Sequence, residues 1–497
     1  MTSVSLANSA TALTADAIVI GTVSTDDGIA LAAGAAAVDK ALGGTLLGAL
    51  KAVEASGKQD EVVKIPTLGQ LKGGTAPLIV ATGLGKADPA KLDAEAVRRG
   101  VGAALRSLNA AKRIVVAIGS GTDEVLVGAI SDGALLGAYR FTRYKSQAKP
   151  PALKRVDIAV SKPTDTGARS AIRRSRIITE AVNNTRDLVN MPANDLNPPS
   201  FADYAAKRGK DAGLTVQVLD EKALERGGFG GILAVGRGSA TPPRLVRLTY
   251  KPARPKAKIA LVGKGITFDT GGLNLKLSMM ALMKSDMGGA AAVIEAVAAA
   301  AALRLPVEVT ATVPMAENAV GGSSYRPSDV LKMRDGRTVE VADTDAEGRL
   351  ILADAMLRAG EDSPDYLIET STLTGGQMVA LGTETSGAMG TDEFRDLVVA
   401  AGNRAGESLW PMPLPDHLRP WLDSPVADIA NLPKERWGSM LVAGVFLSDF
   451  VGPGLPWVHL DIAGPSFASA ASGYTPKGGT GVIVRTILAT LTELGAS

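Results

Sequence analysis

The chain is 497 residues long, 46% hydrophobic and 21% charged, with a formal net charge of +2. That length points to more than one folding unit, and the composition excludes a disordered chain. The slight charge leaves no electrostatic footprint for nucleic acid or an anionic membrane, and the absence of cysteine excludes disulfides, thiolate metal sites and a cysteine nucleophile.

The N-terminus, "MTSVSLANSATALTADAIVIG", lacks a basic run and carries Asp16 before its first apolar segment, unlike a secretory signal. Short β-rich runs at 16–23, 77–85, 113–120 and 156–160 alternate with a helical pattern at 89–109. This alternation predicts an α/β layer with a largely parallel sheet. Gly83 and Gly85 open like a dinucleotide-binding fingerprint, but Asp88 stands where the third glycine belongs. Residues 164–190 read as one long polar-faced helix that stops at the proline-rich "MPANDLNPPS". The chain therefore divides into a smaller N-terminal α/β domain at 1–163, a connecting helix at 164–190 and a larger α/β domain at 191–497.

The larger domain alternates too. Strand-like runs stand at 257–270, 306–318, 337–343, 364–373 and 456–464, and helical runs at 349–360 and 480–494. A central mixed sheet is expected. The most apolar stretch, "MGGAAAVIEAVAAAAALRL", is mostly alanine and contains Glu295, so it reads as a buried helix and not a membrane span. The expected setting is soluble and cytoplasmic.

"VADTDAEGRL", from Val341 to Leu350, crowds Asp343, Asp345 and Glu347 before Arg349. It leaves a strand and enters a helix near Gly348, the edge where open α/β sheets bind ligands. Upstream, "VGKGITFDTGGLNLK" supplies Lys264, Asp269 and Lys276, and "MKSDMGGAAAV" supplies Asp286. Four ionised carboxylates in one cleft would repel, and two divalent cations about 3.5–4 Å apart would balance them. Each residue alone has an ordinary explanation: such an acid commonly caps a helix or turns in solvent, and a single lysine is usually a surface residue. The combination at successive strand ends points to a metal site. His459, inside the apolar "WVHLDIAG", reads as a buried structural histidine, and His417 as a loop residue. Met279, Met280, Met283 and Met287 are core packing by default, or the lining of an apolar pocket.

"DTDAEGRL" resembles the NTDAEGRL signature of the leucyl aminopeptidases, also called cytosol aminopeptidases. "RDLVNMPAN", "VGKGITFDTGG", "DMGGAA", "TLTGG", "PWVHLDIAG" and "KGGTGVIVR" resemble further blocks of that family in the same order, from Arg186 to the C-terminus. The resemblance implies a dinuclear metallo-aminopeptidase that releases N-terminal residues, preferably leucine-like, from short peptides with a free N-terminus. It implies that Asp269, Asp345 and Glu347 bind one metal, and that Lys264, Asp269, Asp286 and Glu347 bind the other. Lys264 must be neutral to ligate. A water between the metals would attack the scissile carbonyl, Lys276 would stabilise the oxyanion, and Arg349 would hold a bicarbonate that moves the proton. Positions matching Met283, Thr372 and Gly375 would line the first-residue pocket. The resemblance also implies a homohexamer.

The metals implied are Mn or Zn, with Mg or Co compatible with the same ligands. Three departures stand out: Asp343 where the signature has Asn, Leu277 where Pro usually follows the lysine, and a slightly short segment from Lys276 to Asp286. Two other readings are a DNA-binding or regulatory protein of the same fold, using basic runs at 168–177 and 251–258, and another two-metal hydrolase such as a phosphatase.

Overall fold

The computed structural model describes residues 2–119, 121–147 and 151–496. Ser120, the end of the predicted run 113–120, lies outside the described residues, as do the two chain ends. The chain forms two compact units, one of 1–183 with 469–477 and the other of 184–468 with 478–497. The long helix is present at Thr166–Asn190. The boundary between units falls inside it, after Asn183, and the short segment Ser469–Lys477 joins the first unit from far along the sequence.

The first unit carries a seven-stranded sheet among the described residues. Its order is Ser3–Ala7, Arg155–Ala159, Arg113–Ala117, Ala17–Thr25, Leu78–Lys86 and Val62–Pro66, with Gly28–Leu31 beside Ala17–Thr25. The central pairings are parallel, and only Val62–Pro66 and Gly28–Leu31 run antiparallel. Alternate residues of one strand enter different cores: Ala17 and Val19 pack on one face, Ile18 and Ile20 on the other. A sheet buried on both faces needs such continuous apolar runs. The helix Ala94–Arg106 buries Val97, Val101, Ala104 and Leu105 on one stripe, and Asp93 caps it by accepting from the Ala96 N–H at 2.8 Å.

The second unit is built, among the described residues, on a nine-stranded mixed sheet. Three neighbouring parallel strands, Lys258–Gly263, Tyr366–Ser371 and Trp457–Asp461, form its middle. The long strand Glu308–Asn318 runs parallel to the first of these, and Arg244–Tyr250 and Ser386–Gly390 enter antiparallel. The alanine-rich segment is a helix, Gly288–Ala302, in which every residue from Gly288 to Ala300 is buried. Small side chains let it lie close to the sheet. The stretch Met280–Ala302 is long and apolar enough to cross a membrane, but 89% of its most apolar 18-residue window is buried inside the protein. The one charge of the helix Gly288–Ala302, Glu295, is matched by Arg208 at 3.0 Å, Tyr204 at 2.6 Å and Asn184 at 3.0 Å.

The predicted strand 257–270 is two strands, Lys258–Gly263 and Gly265–Asp269, broken at Lys264. The first pairs on both sides, whereas the second pairs with Glu308–Asn318. The break turns one side chain out of the sheet pattern at the C-terminal edge.

Candidate metal centre

Lys264 is buried, and its Nζ lies 2.8 Å from Asp286 Oδ1 and 2.9 Å from Glu347 Oε1, and 3.2 Å from the Thr372 carbonyl. It reaches them by crossing Gly348: a Cβ there would stand 2.3 Å from Lys264 Cε. Asp269 ends its strand. Its Oδ1 accepts from the Gly271 N–H at 2.9 Å and the Asn318 amide at 2.8 Å, and its Oδ2 faces Lys276 Nζ at 2.8 Å. Gly271 and Gly272 take φ of +86° and +65°, which is where glycine serves best. Lys276 Nζ also lies 2.5 Å from Asp345 Oδ1.

Asp269, Asp345 and Glu347 offer ligand atoms within 4.8 Å of one another. Asp286 stands across Lys264 from them, just before the helix Gly288–Ala302, and accepts from the Thr372 hydroxyl at 2.7 Å. Glu347 occupies the N-cap of the helix Gly348–Gly360 but makes no side-chain cap bond. The ordinary explanation for an acid at that position therefore fails here. Glu347 Oε2 is buried and has no hydrogen-bond partner among the described residues.

Four carboxylates, buried except for the partly exposed Asp345, thus face two ammonium groups. Burial pushes the Asp286 carboxyl up to about 8, against the opposing pull of Lys264. Burial and the nearby Asp269 push Asp345 up to about 7, and burial with Asp269 raises Glu347. The raised carboxyl values reflect burial and mutual repulsion, which bound cations would relieve. Burial lowers the Lys264 pKa, but Asp286, Glu347 and Asp269 outweigh it and raise it above the ordinary lysine value. A neutral, ligating Lys264 therefore requires cation charge to displace its proton. The Lys276 pKa is likewise raised: burial opposes, and Asp269 and Glu347 prevail.

The other sequence candidates lie as follows. Arg349 is buried; its Nη1 donates to the Asn431 carbonyl at 2.9 Å, and its guanidinium lies 5.9 Å from the Phe446 ring centre. Burial lowers its pKa to about 10 although Glu347 pulls the other way. Met283 is half-buried in the turn Met280–Ser285. The Thr372 hydroxyl is engaged with Asp286, and Gly375 opens the helix Gly375–Leu381 with no atom within 4 Å of where a Cβ would stand. His459 is fully buried beside Glu369, which raises its pKa against the effect of burial. His417 is exposed.

The departures have physical readings. Asp343 Oδ1 accepts from the Asp345 N–H at 2.8 Å, a bond that Asn makes equally well. Leu277 is fully exposed, and Met279 takes a left-handed φ of 58° in the same loop. Of the basic run 251–258, Lys251 pairs with Glu308 at 3.1 Å and Lys258 donates to the Asp362 carbonyl, while Arg254 and Lys256 are exposed.

Several residues of the site carry no sequence signal. Asn318 donates to both Asp269 and the Thr344 carbonyl, and Tyr325 donates to that same carbonyl at 2.6 Å. Thr344 and Asn274 lace the two acid-bearing loops together. None belongs to a pattern of charge or spacing that a sequence displays.

A carboxylate and lysine cluster at the C-terminal edge of a mixed sheet marks an α/β protein with a candidate metal centre. The sequence matches the cytosol aminopeptidase family, catalytic domain, over residues 183–488, and the N-terminal domain of that family over 19–148. The chain belongs to the cytosol aminopeptidase family. A "Probable cytosol aminopeptidase" of Rhodococcus jostii is 51% identical over 491 residues, covering 97% of this chain and 95% of the relative. One of Streptomyces avermitilis is 50% identical, covering 100% and 99%. Among solved structures, a tomato leucine aminopeptidase mutant superposes with a TM-score of 0.88 at 30% identity, covering 99% of this chain and 97% of that one. The bottromycin maturation enzyme BotP in complex with Mn gives 0.84 at 36% identity, covering 97% and 99%.

Proposed function

We propose that this metallo-aminopeptidase releases leucine-like N-terminal residues from short peptides through a two-cation site. The observation that carries the reading is the convergence of Asp269, Asp345 and Glu347 within 4.8 Å, with one buried Glu347 oxygen left unpartnered. Asp269, Asp345 and Glu347 would hold one cation; Lys264, Asp269, Asp286 and Glu347 would hold the other. The cations would supply Lewis-acid polarisation of the scissile carbonyl and a water-derived nucleophile at neutral pH.

The chain's own residues do the rest. Lys276 is tethered to Asp269 and Asp345, so its ammonium is held beside the reacting carbonyl and donates to the oxygen that gains charge. Thr372 and Lys264 fix the orientation of Asp286. Arg349, buried and with its Nε unpartnered, suits a small anion such as bicarbonate that moves the proton. Met283, Thr372 and Gly375 frame the first-residue pocket, and the open space at Gly375 favours a branched apolar side chain. Burying leucine there contributes about 1.5–3 kcal/mol, which prefers leucine without demanding it.

Manganese is the first metal to try, given the Mn complex of a structural neighbour; zinc is the other candidate, and magnesium and cobalt are compatible with the same donors. A homohexamer and a cytoplasmic setting complete the proposal, and mass measurement in solution tests the assembly. The activity is tested by comparing leucine-p-nitroanilide with its N-acetyl derivative. Hydrolysis of the first alone supports an aminopeptidase, whereas equal rates on both contradict it.

A further inference from the structure

The ten-residue stretch that carries Asp345, Glu347 and Arg349 is irregular up to Gly348. Irregular backbone needs its polar groups matched by something outside itself. Much of that matching comes from one distant side chain. Asn431 is fully buried at the end of the short strand Ile429–Ala430, which pairs parallel with Thr338–Glu340. Its Oδ1 accepts from the Ala342 N–H at 2.8 Å and the Asp343 N–H at 3.3 Å. Its Nδ2 donates to the Asp343 carbonyl at 2.7 Å and the Ala346 carbonyl at 3.3 Å. Its own backbone N–H donates to the Glu340 carbonyl at 3.0 Å, and its carbonyl accepts from Arg349 Nη1 at 2.9 Å.

We infer that Asn431 is a positioning residue that sets the geometry of the Asp345–Glu347 metal-binding loop and of Arg349. Its six hydrogen bonds run from before Asp343 to Arg349 and bracket both candidate ligands. Only a primary amide offers an acceptor and two donors at one position. An aspartate there has the same shape, yet it turns a carboxylate oxygen toward the Asp343 and Ala346 carbonyls and loses both donated bonds. Asn431 touches no reacting atom and acts through the loop it holds. A site that must hold acids against one another needs such a strut, because small displacements of ligand atoms weaken binding.

The inference rests on the two-cation reading above, and the test separates the two. Mn²⁺ binding is measured by calorimetry on the metal-free wild type, Asn431→Asp and Tyr204→Phe, with leucine-p-nitroanilide kinetics at saturating Mn²⁺. Tyr204→Phe removes a part-buried bond of the same unit, to Glu295, that touches none of the candidate ligands. Asn431→Asp is expected to weaken Mn²⁺ about tenfold or more and to lower kcat, while Tyr204→Phe leaves both near wild type. Wild-type Mn²⁺ affinity in Asn431→Asp overturns the inference, as does an equal weakening in Tyr204→Phe. Absence of Mn²⁺ binding by the wild type overturns the two-cation reading itself. If Asn431→Asp does not fold, Asn431→Ala is read in the same way, since it removes the amide, adds no charge and keeps the carbonyl that Arg349 uses.

Discussion

Lys276 and Asp345 form an ion pair with 2.5 Å between Nζ and Oδ1, and the same ammonium reaches Asp269 at 2.8 Å. A cation that serves the ligands in this way is not itself required to bind metal. Lys276→Met is therefore expected to lower kcat by about 10²–10³, the usual effect of losing one oxyanion donor. Mn²⁺ affinity should be unchanged or tighter, because a competing positive charge is gone. Steady-state kinetics and calorimetry on the same preparation check this; weakened metal binding with normal kcat would reverse the assigned role.

Protonated acids oppose metal binding. Asp286 is held up at about 8 and Asp345 at about 7, each chiefly by burial. Below those values the carboxyls carry protons that a cation must displace, so affinity rises as pH rises from 6 to 8. Each displaced proton changes the apparent Mn²⁺ affinity about tenfold per pH unit within that window. Titration in buffers of different ionisation enthalpy should register more proton release at pH 6 than above pH 8, where the carboxyls are already ionised and the proton of Lys264 remains to be displaced. Affinity that does not change with pH would contradict this electrostatic reading.

Asp343→Asn restores the residue usual in the family signature. The bond from the Asp345 N–H to Oδ1 survives the change. The expected effect on kcat/KM is within about threefold, equivalent to less than about 1 kcal/mol. A larger loss would mean that the charge of Asp343, and not its turn geometry, matters to the site.

Much of this centre is visible in the sequence because charge is conspicuous where apolar strands end. Asp269, Glu347 and Lys264 stand out against Val262, Ile266 and Leu350, and the strand-end rule then gathers them. The buried reading of His459 follows from its apolar neighbours, and the structure matches it by placing Glu369 alongside. The strut residues are invisible for the opposite reason. Asn318, Tyr325 and Asn431 meet the acids only through contacts made across the folded chain, and a lone amide or phenol has no sequence period. Lys264 was legible as an isolated charge, but the break it makes between two strands was not, since each side of it reads as continuous β structure. The same limit applies to Ser469–Lys477, whose place in the first unit is set by tertiary contacts far from its own position.

Gly375 stands at the start of a helix with open space where a Cβ would project. Gly375→Ala should therefore leave the melting temperature unchanged. Within the proposed pocket the added methyl takes up room meant for the substrate. The preference for leucine over alanine p-nitroanilide is expected to fall about fivefold or more, through KM. Unchanged preference would place the first-residue pocket elsewhere.

The most direct test of the cation site is leucine-p-nitroanilide hydrolysis by the purified protein after chelation and after return of Mn²⁺ or Zn²⁺, with Glu347→Ala in parallel. Glu347 is nearly fully buried, makes no cap bond and leaves one oxygen unpartnered, so its loss should remove a proposed metal ligand without unmaking the helix it precedes. The account predicts that activity disappears on chelation, returns with metal, and is absent in the folded variant under every condition. Activity that survives exhaustive chelation, or that Glu347→Ala retains in full, would contradict it.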